Sequence, residues 1–252
     1  MNVVQVIPVT GLPIIKEGDK LGKLICDATD KQETPIRDGD VIVVTHVVAA
    51  RAEGATVNLE TITPSPFAQH IARKNDKDPA LVEVVLREAE SIIRMRNGNI
   101  ITLTKHGLIC ANSGVDKSNV PGERIVALLP RNPDETARQI RRNIKEQTGK
   151  TVAIIISDTH GRPLRDGEIN VAIGVAGLMP IRDRRGEDDL FGYTLRVKRT
   201  AIADELASAA ELVVGQAKEA VPAAIIRGYR YQPSEEATLK DMLRPLEKEY
   251  FL

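Results

Sequence analysis

The chain has 252 residues, 42% hydrophobic and 28% charged, a globular mixture with enough apolar material for one large domain or two small ones. Its 35 Lys and Arg balance 35 Asp and Glu, so the basic excess of a nucleic-acid binder is missing. Aromatics make up 3% with no Trp, which counts against stacking platforms for single strands.

Two cysteines, Cys26 and Cys110, stand far apart without a partner motif, so neither a disulfide framework nor a cysteine zinc site is supported. Cys110 lies in the apolar run Gly107 to Ala111, where a buried thiol acts as a small hydrophobe. The N-terminus has no charged region followed by an uninterrupted apolar stretch, and no segment approaches membrane-spanning length. The expected setting is the cytoplasm, with no membrane or nucleic-acid partner.

In chain order, short β-branched runs predict a strand over Val3 to Val9 and another over Val41 to Val48, after the turn Arg37-Asp38-Gly39-Asp40. Asn99 to Leu103 follows the hairpin dipeptide Asn97-Gly98, and Gly107 to Ala111 continues that hairpin. Thr151 to Ser157 and Val221 to Arg227 complete the set. Several of these runs are continuously apolar, as strands covered on both faces are.

Helices are expected between them. Asp78-Pro79 sets a cap residue before a proline at the first helical position, and Leu81, Val84, Val85 and Ile92 recur at helical spacing. Asn132-Pro133 repeats the start signal, Ala137, Ile140 and Ile144 form a stripe, and Gly149 stops it. A third helix is expected over about Ile202 to Val213, and a fourth after Ser234. Arg182, Arg184 and Arg185, followed by Glu187, Asp188 and Asp189, read as a solvated loop. Strands and helices mix without strict alternation. The fold class is therefore α+β, or irregular α/β, in one unit spanning 1–252 with two subdomains.

No G-x-x-x-x-G-K-[ST] loop, no G-x-G-x-x-G after a strand, no H-E-x-x-H and no G-x-S-x-G elbow is present. A nucleotide site in this chain must use another kind of loop.

Five segments carry chemistry. In Val152 to Pro163 an apolar strand runs into Ser157-Asp158-Thr159-His160-Gly161-Arg162. A carboxylate and a hydroxyl at a strand's carboxyl end offer hard oxygen ligands for Mg²⁺ or Mn²⁺, and Arg162 suits a phosphate or carboxylate. A capped turn would use the same residues. Ile109 to Asn119 likewise ends in small and polar residues around Asp116, with Gly114 allowing close backbone approach and Asn119 suited to a base or ribose. An Asx-rich surface turn is the plainer alternative. Two strand ends with one carboxylate each would suit cations bridging phosphate oxygens. The remaining three segments are Pro8 to Asp19 with its Gly-Leu-Pro turn, Val44 to Gly54 with Arg51 and Glu53, and Val213 to Lys218, where Gly215 reads first as a helix cap.

Together these motifs resemble one family in order and spacing. Gly11-Leu12-Pro13-x-Ile15-Lys16-x-Gly18-Asp19 comes first, then Asp38-Gly39-Asp40-Val41-x-Val43-Val44, then Gly114-Val115-Asp116-x-Ser118-Asn119. Ser157-Asp158-Thr159-x-Gly161-Arg162 and Ala203-Asp204-Glu205-Leu206-Ala207 follow. The family is the coenzyme F420-0:γ-glutamyl ligases, and the resemblance runs through Arg227-Gly228.

The resemblance implies a two-subdomain α+β fold with mixed sheets, assembled as an intertwined homodimer. It implies GTP-dependent attachment of L-glutamate to coenzyme F420-0, then of a second glutamate through a γ-linkage, with Mg²⁺ or Mn²⁺ required and K⁺ assisting. By position, Asp116, Asp158 and Thr159 look like the divalent-metal ligands. Gln216 stands where some members carry a metal-binding acid. Leu12, Pro13, Ile14, Ile15, Asn119 and the stretch from Val214 through Gly215, Gln216 and Ala217 to Val221 look like the GTP contacts. In the fourth segment His46-Val47 replaces a Ser-Thr or Ser-Lys pair and Arg51 replaces a lysine, keeping the charge with a different geometry. Thr45, His46 and Arg51 would make the nucleotide contacts there, and Arg51 and Arg162 are the candidate catalytic cations. Two rival readings share these residues: the same amide chemistry on a folate-like acid, and a non-catalytic nucleotide- or metal-binding homologue.

Overall fold

The computed structural model describes residues 3–249. A five-stranded sheet is its centre, in the order β1 (Gln5–Pro8), β12 (Ala223–Arg227), β2 (Val41–Thr45), β8 (Ala153–Arg162) and β9 (Arg165–Ala176). Only β2 and β8 run parallel, with Val41 opposite Ala153 and Thr45 opposite Ser157. The other neighbours are antiparallel.

The apolar strands are explained by two covered faces. With the period of two, Ile42, Val44, Ile154, Ile156 and Ile225 point to one side. There they share a core with α1 (Leu21–Lys31) and α5 (Pro133–Thr148). Val41, Val43, Ala153, Ile155 and Ile226 point to the other, against α6 (Ile202–Val214). The α1–α5 crossing is tight: a Cβ added at Gly22 would stand 2.6 Å from the Ile140 carbonyl oxygen.

A separate core is built from the middle of the chain. Its helices are α3 (Pro66–Asn75) and α4 (Pro79–Glu88), and its sheet is β4 (Ala89–Arg96), β5 (Asn99–Thr104) and β6 (Ile109–Ala111). Ile71, Val82, Val85, Ile100 and Val126 fill it. The short ribbon β3 (Thr56–Asn58) with β7 (Ile125–Ala127) flanks that core, and β10 (Ile181–Asp183) pairs with β11 (Arg199–Ala201). The expected α+β class is met, with helices and mixed sheets combined irregularly.

Caps mark the helices as their chemistry requires. The Asn132 side chain accepts from Glu135 N–H at 3.1 Å, and Gly149, at φ 71°, ends α5 in the left-handed region. Four expectations need correction. Ile92 is in β4, not a helix, because Asn97 and Gly98, at φ 50° and 77°, turn the chain into a hairpin that pairs Ile92 with Thr102. The strand at Val41 stops at Thr45, and His46–Ala52 forms a short helix, α2. The strand expected to end at Ser157 runs on to Arg162, because β9 pairs with it throughout. After Ser234 there is no α-helix among the described residues, only the 3₁₀ turns Leu239–Asp241 and Leu246–Lys248. Glu235 is instead drawn out to the Arg141 guanidinium, bonded at 2.5 and 2.7 Å.

Candidate active site

Where β2 and β8 end their parallel pairing, β2 turns away into α2 and β8 continues beside β9 alone. The carboxyl ends of parallel strands are where open sheets bind ligands, and a cleft opens there. Leu12, Pro13, Ile14 and Ile15 line one wall, and Thr45, His46 and Arg51 another. Asp116, Ser118 and Asn119 come from the turn after β6. Ser157 and Thr159 come from β8 and Asn170 from β9. Val214, Gly215, Gln216 and Ala217 close it from the end of α6, with Ala220 and Val221 beyond. Of the sequence-derived site residues, all but Asp158 and Arg162 therefore meet in one cleft.

Arg51 ties two walls together. Its Nη2 donates to the Ile15 carbonyl at 2.6 Å and its Nη1 to the Asn119 carbonyl at 3.2 Å. Partial burial lowers its pKa from the ordinary arginine value. The turn before Asn119 is conformationally costly: Asn112, Ser113 and Asn119 all have φ between 51° and 56°. Such backbone persists when surrounding structure over-determines it, often at functional sites. A Cβ at Gly114 would meet Leu129 at 2.6 Å, so the turn packs closely only with glycine there.

Asp158 sits behind the cleft wall, 7% exposed. His46 Nδ1 lies 3.1 Å from its Oδ1, and His160 Nε2 lies 3.1 Å from its Oδ2. Thr159 N–H also donates to Oδ1 at 2.7 Å. A carboxylate only accepts, so both imidazole nitrogens are the donors. Burial alone would raise the Asp158 pKa, but the charge of His46 and the hydrogen bonds from both histidines outweigh it and hold the carboxyl well below the usual range. For His46 burial pulls the pKa down, yet the facing Asp158 leaves it raised.

The donor set suits a hard or borderline cation completed by phosphate oxygens. Asp116, Thr159, Ser157 and the Gln216 amide offer oxygens, and His46 a nitrogen. Gln216 Nε2 is taken by Glu211 Oε1 at 2.6 Å, which leaves the amide oxygen as its ligand-competent end. Among the described residues no three His, Cys, Asp or Glu side chains form a complete metal centre. Substrate phosphates and hydroxyls would have to fill the remaining positions, as Mg²⁺ sites commonly arrange.

Arg162 is not brought to the cleft. Because β8 continues unbroken, four residues at about 3.3 Å each carry it some ~13 Å along the hairpin from Asp158. Its Nη1 is buried without a partner among the described residues.

The family model described as F420-0:gamma-glutamyl ligase matches residues 10–228. The coenzyme F420:L-glutamate ligase of Methanothermobacter thermautotrophicus is 47% identical over 249 residues, covering 98% of each chain. The chain belongs to the F420-0:gamma-glutamyl ligase family. It is a ligase. The coenzyme F420:L-glutamate ligase of Methanocaldococcus jannaschii is 45% identical, covering 95% of this chain and 94% of its own. That of Archaeoglobus fulgidus is 38% identical over 98% of this chain and 95% of its own.

Beside the family's motifs, the cleft depends on residues no motif announced. Asn170 carries a network: its Oδ1 accepts from Thr159 Oγ1 at 2.9 Å and its Nδ2 donates to Glu211 Oε2 at 2.8 Å. A 2% exposed asparagine needs such partners, but only the structure shows them. Neither cysteine supplies a reactive thiol. Burial, helped by Asp30 and Asp27, pushes Cys26 up to about 11, and burial with Asp158 pushes Cys110 up to about 12. Native protein at pH 8 is therefore expected to resist maleimide at both positions and to label only after denaturation. Rapid labelling of folded protein would contradict the packing around them.

Proposed function

We propose that this ligase joins L-glutamate to coenzyme F420-0 in an amide bond with cleavage of GTP, and then adds a second glutamate through a γ-linkage. The convergence of the 12–15 loop, Arg51, Asp116, Asn119, Thr159 and 214–217 in one cleft supports this reading above all. It gathers backbone groups, a guanidinium, hydroxyls and carboxylates around space for a nucleotide's phosphates.

A free carboxylate is a poor acyl donor. An acceptor carboxylate oxygen attacks the γ-phosphorus, the bond to the β–γ bridging oxygen breaks, and GDP leaves with those electrons. The glutamate amine then attacks the acyl carbon of the resulting acyl phosphate. The C–O bond to phosphate breaks, inorganic phosphate departs and the amine gives up a proton. No protein nucleophile is needed, so catalysis is mainly positioning and charge stabilisation. A divalent cation, Mg²⁺ or Mn²⁺, would neutralise phosphate charge when bound. Asp116, Asp158, Thr159 and Gln216 are the residues proposed to hold it, with K⁺ assisting. Arg51 keeps two cleft walls at fixed separation. A homodimer is part of the same proposal: Leu190, Phe191 and Val197 are 91%, 92% and 88% exposed, an apolar surface that a second copy would cover.

Incubation with coenzyme F420-0, glutamate, GTP and Mn²⁺, followed by mass analysis, is expected to show one and then two glutamate increments. Turnover only with a folate-like acid would replace the acceptor, and nucleotide binding without phosphate release would make the chain a non-catalytic homologue.

A further inference from the structure

A second cavity, about 490 Å³ in volume, opens where the two cores meet. Small-molecule sites run from about 300 to 1,000 Å³. Gly54 and Ala55, after α2, form one side, and Glu88 ends α4 on another. Lys105 and His106 stand in the turn between β5 and β6, and Arg131 comes just before α5. None of these residues lines the cleft.

The charges of this cavity are unpaired. Among the described residues the side chains of Lys105, Arg131 and Glu88 have no hydrogen bond or ion pair. Opposite charges that share a cavity without meeting leave room for a ligand carrying both signs. His106 adds a directional demand. Its Nε2 lies 3.0 Å from the Pro130 carbonyl oxygen, which can only accept, so the ring proton is on Nε2. In the neutral imidazole Nδ1 then accepts, and it is buried without a partner among the described residues. Buried polar atoms are nearly always paired, so Nδ1 calls for a donor from outside the chain.

Two cations, one anion and one acceptor are the complement of two carboxylates and one ammonium. A phosphodiester or a plain dicarboxylate would serve Lys105 and Arg131, but it would confront Glu88 and give Nδ1 no donor. The cavity also backs onto the turn that carries Asp116 into the cleft. Leu128 N–H donates to the Ala55 carbonyl at 2.9 Å, and the neighbouring Ala127 exchanges bonds of 2.8 and 3.0 Å with Asp116.

We propose that this cavity binds free L-glutamate, apart from the cleft in which ligation occurs. Lys105 and Arg131 meet its carboxylates, and Glu88 with His106 Nδ1 meets its ammonium. The choice of glutamate rests on the proposed function, whereas the class of ligand, an α-amino dicarboxylate, does not.

The test is equilibrium dialysis of ¹⁴C-labelled L-glutamate against the full-length protein without nucleotide, divalent cation or acceptor. Saturable binding of about one glutamate per chain is expected. Glutarate, which lacks the ammonium, is expected to compete at least tenfold more weakly. Lys105→Gln and Arg131→Gln are each expected to weaken binding about tenfold or more, since charged hydrogen bonds are lost. Glu88→Gln is expected to narrow the gap between glutamate and glutarate, and Asp158→Asn, in the cleft, to bind glutamate as wild type does. Ligation by a protein that shows no such binding overturns this inference and leaves the ligase reading intact. Binding without ligation supports the cavity and counts against the proposed acceptor and nucleotide. Glutarate binding as tightly as glutamate overturns the zwitterion. Binding lost in Asp158→Asn but kept in Arg131→Gln moves the glutamate to the cleft and overturns the cavity. The wild-type competition decides even where a variant fails to fold.

Discussion

Replacing Asp158 by Asn is expected to lower glutamate ligation by about 100-fold or more while the chain still folds. The carboxylate accepts from three donors at once: His46, His160 and the Thr159 N–H. Asparagine can accept through one oxygen only, and its NH₂ would confront a donor. The cheapest relief is for His46 to let go of residue 158, which loosens the cleft wall that His46 forms. A negative charge near the proposed cation is lost as well. Steady-state phosphate release, with circular dichroism to confirm folding, measures the effect. Activity within a few-fold of wild type would remove Asp158 from the mechanism.

The same variant has a pH signature in the metal-free protein. A carboxyl with a lowered folded pKa stabilises above its unfolded value of about 3.9, and loses this as pH falls. An imidazole with a raised folded pKa stabilises below its unfolded value of about 6.5, and loses this as pH rises through the folded one. Both shifts are present in the Asp158–His46 pair. The gap in Tm between wild type and Asp158→Asn is therefore largest between about pH 4 and pH 6.5, and narrows on either side.

Local signals in the sequence were reliable where one element decided them. Asn132-Pro133 and Gly149 bracket α5 because a side-chain cap and a left-handed glycine are matters of a few residues. Continuous apolar runs marked β2, β8 and β12 because both sheet faces are covered. The 12-residue strand β9 escaped notice since its Arg165 to Glu168 end is exposed and polar, and only pairing with β8 makes it a strand. In the candidate site, motifs announced Asp116, Thr159 and the 12–15 loop, and long-range packing brings them together. The place of Asp158 behind the wall was not legible. It follows from the two-residue alternation of β8, in which Ser157 and Thr159 line the cleft and Asp158 between them points to the other side. Arg162 looked close to the chemistry because it is four residues from Asp158, a separation that an extended strand turns into distance.

Arg227→Leu is expected to destabilise the protein by about 3–5 kcal/mol, the cost typical of stripping the partner from a buried charge. Asp40 is 1% exposed. Arg227 Nε meets its Oδ1 at 2.9 Å and Nη2 meets its Oδ2 at 2.8 Å, a two-point geometry that lysine cannot reproduce. The Arg37 N–H adds a bond to Oδ2 at 2.8 Å, and Arg227 Nη2 also reaches the Pro35 carbonyl at 2.8 Å. Leucine would leave the carboxylate buried with one backbone donor. For a chain of this size the loss corresponds to a Tm lower by about 6–20 °C in a thermal melt. The double variant Asp40→Asn with Arg227→Leu is expected to cost less than the sum of the singles, because the unpaired charge is gone. A fall below about 1 kcal/mol in the single variant would mean that water reaches Asp40. Asp40 precedes β2 and the cleft begins at its other end, at Thr45, about 17 Å away at strand spacing. Arg227→Leu should therefore keep its turnover at temperatures where it stays folded, whereas Asp158→Asn loses turnover while folded, so the two variants separate what holds the sheet together from what works at its edge.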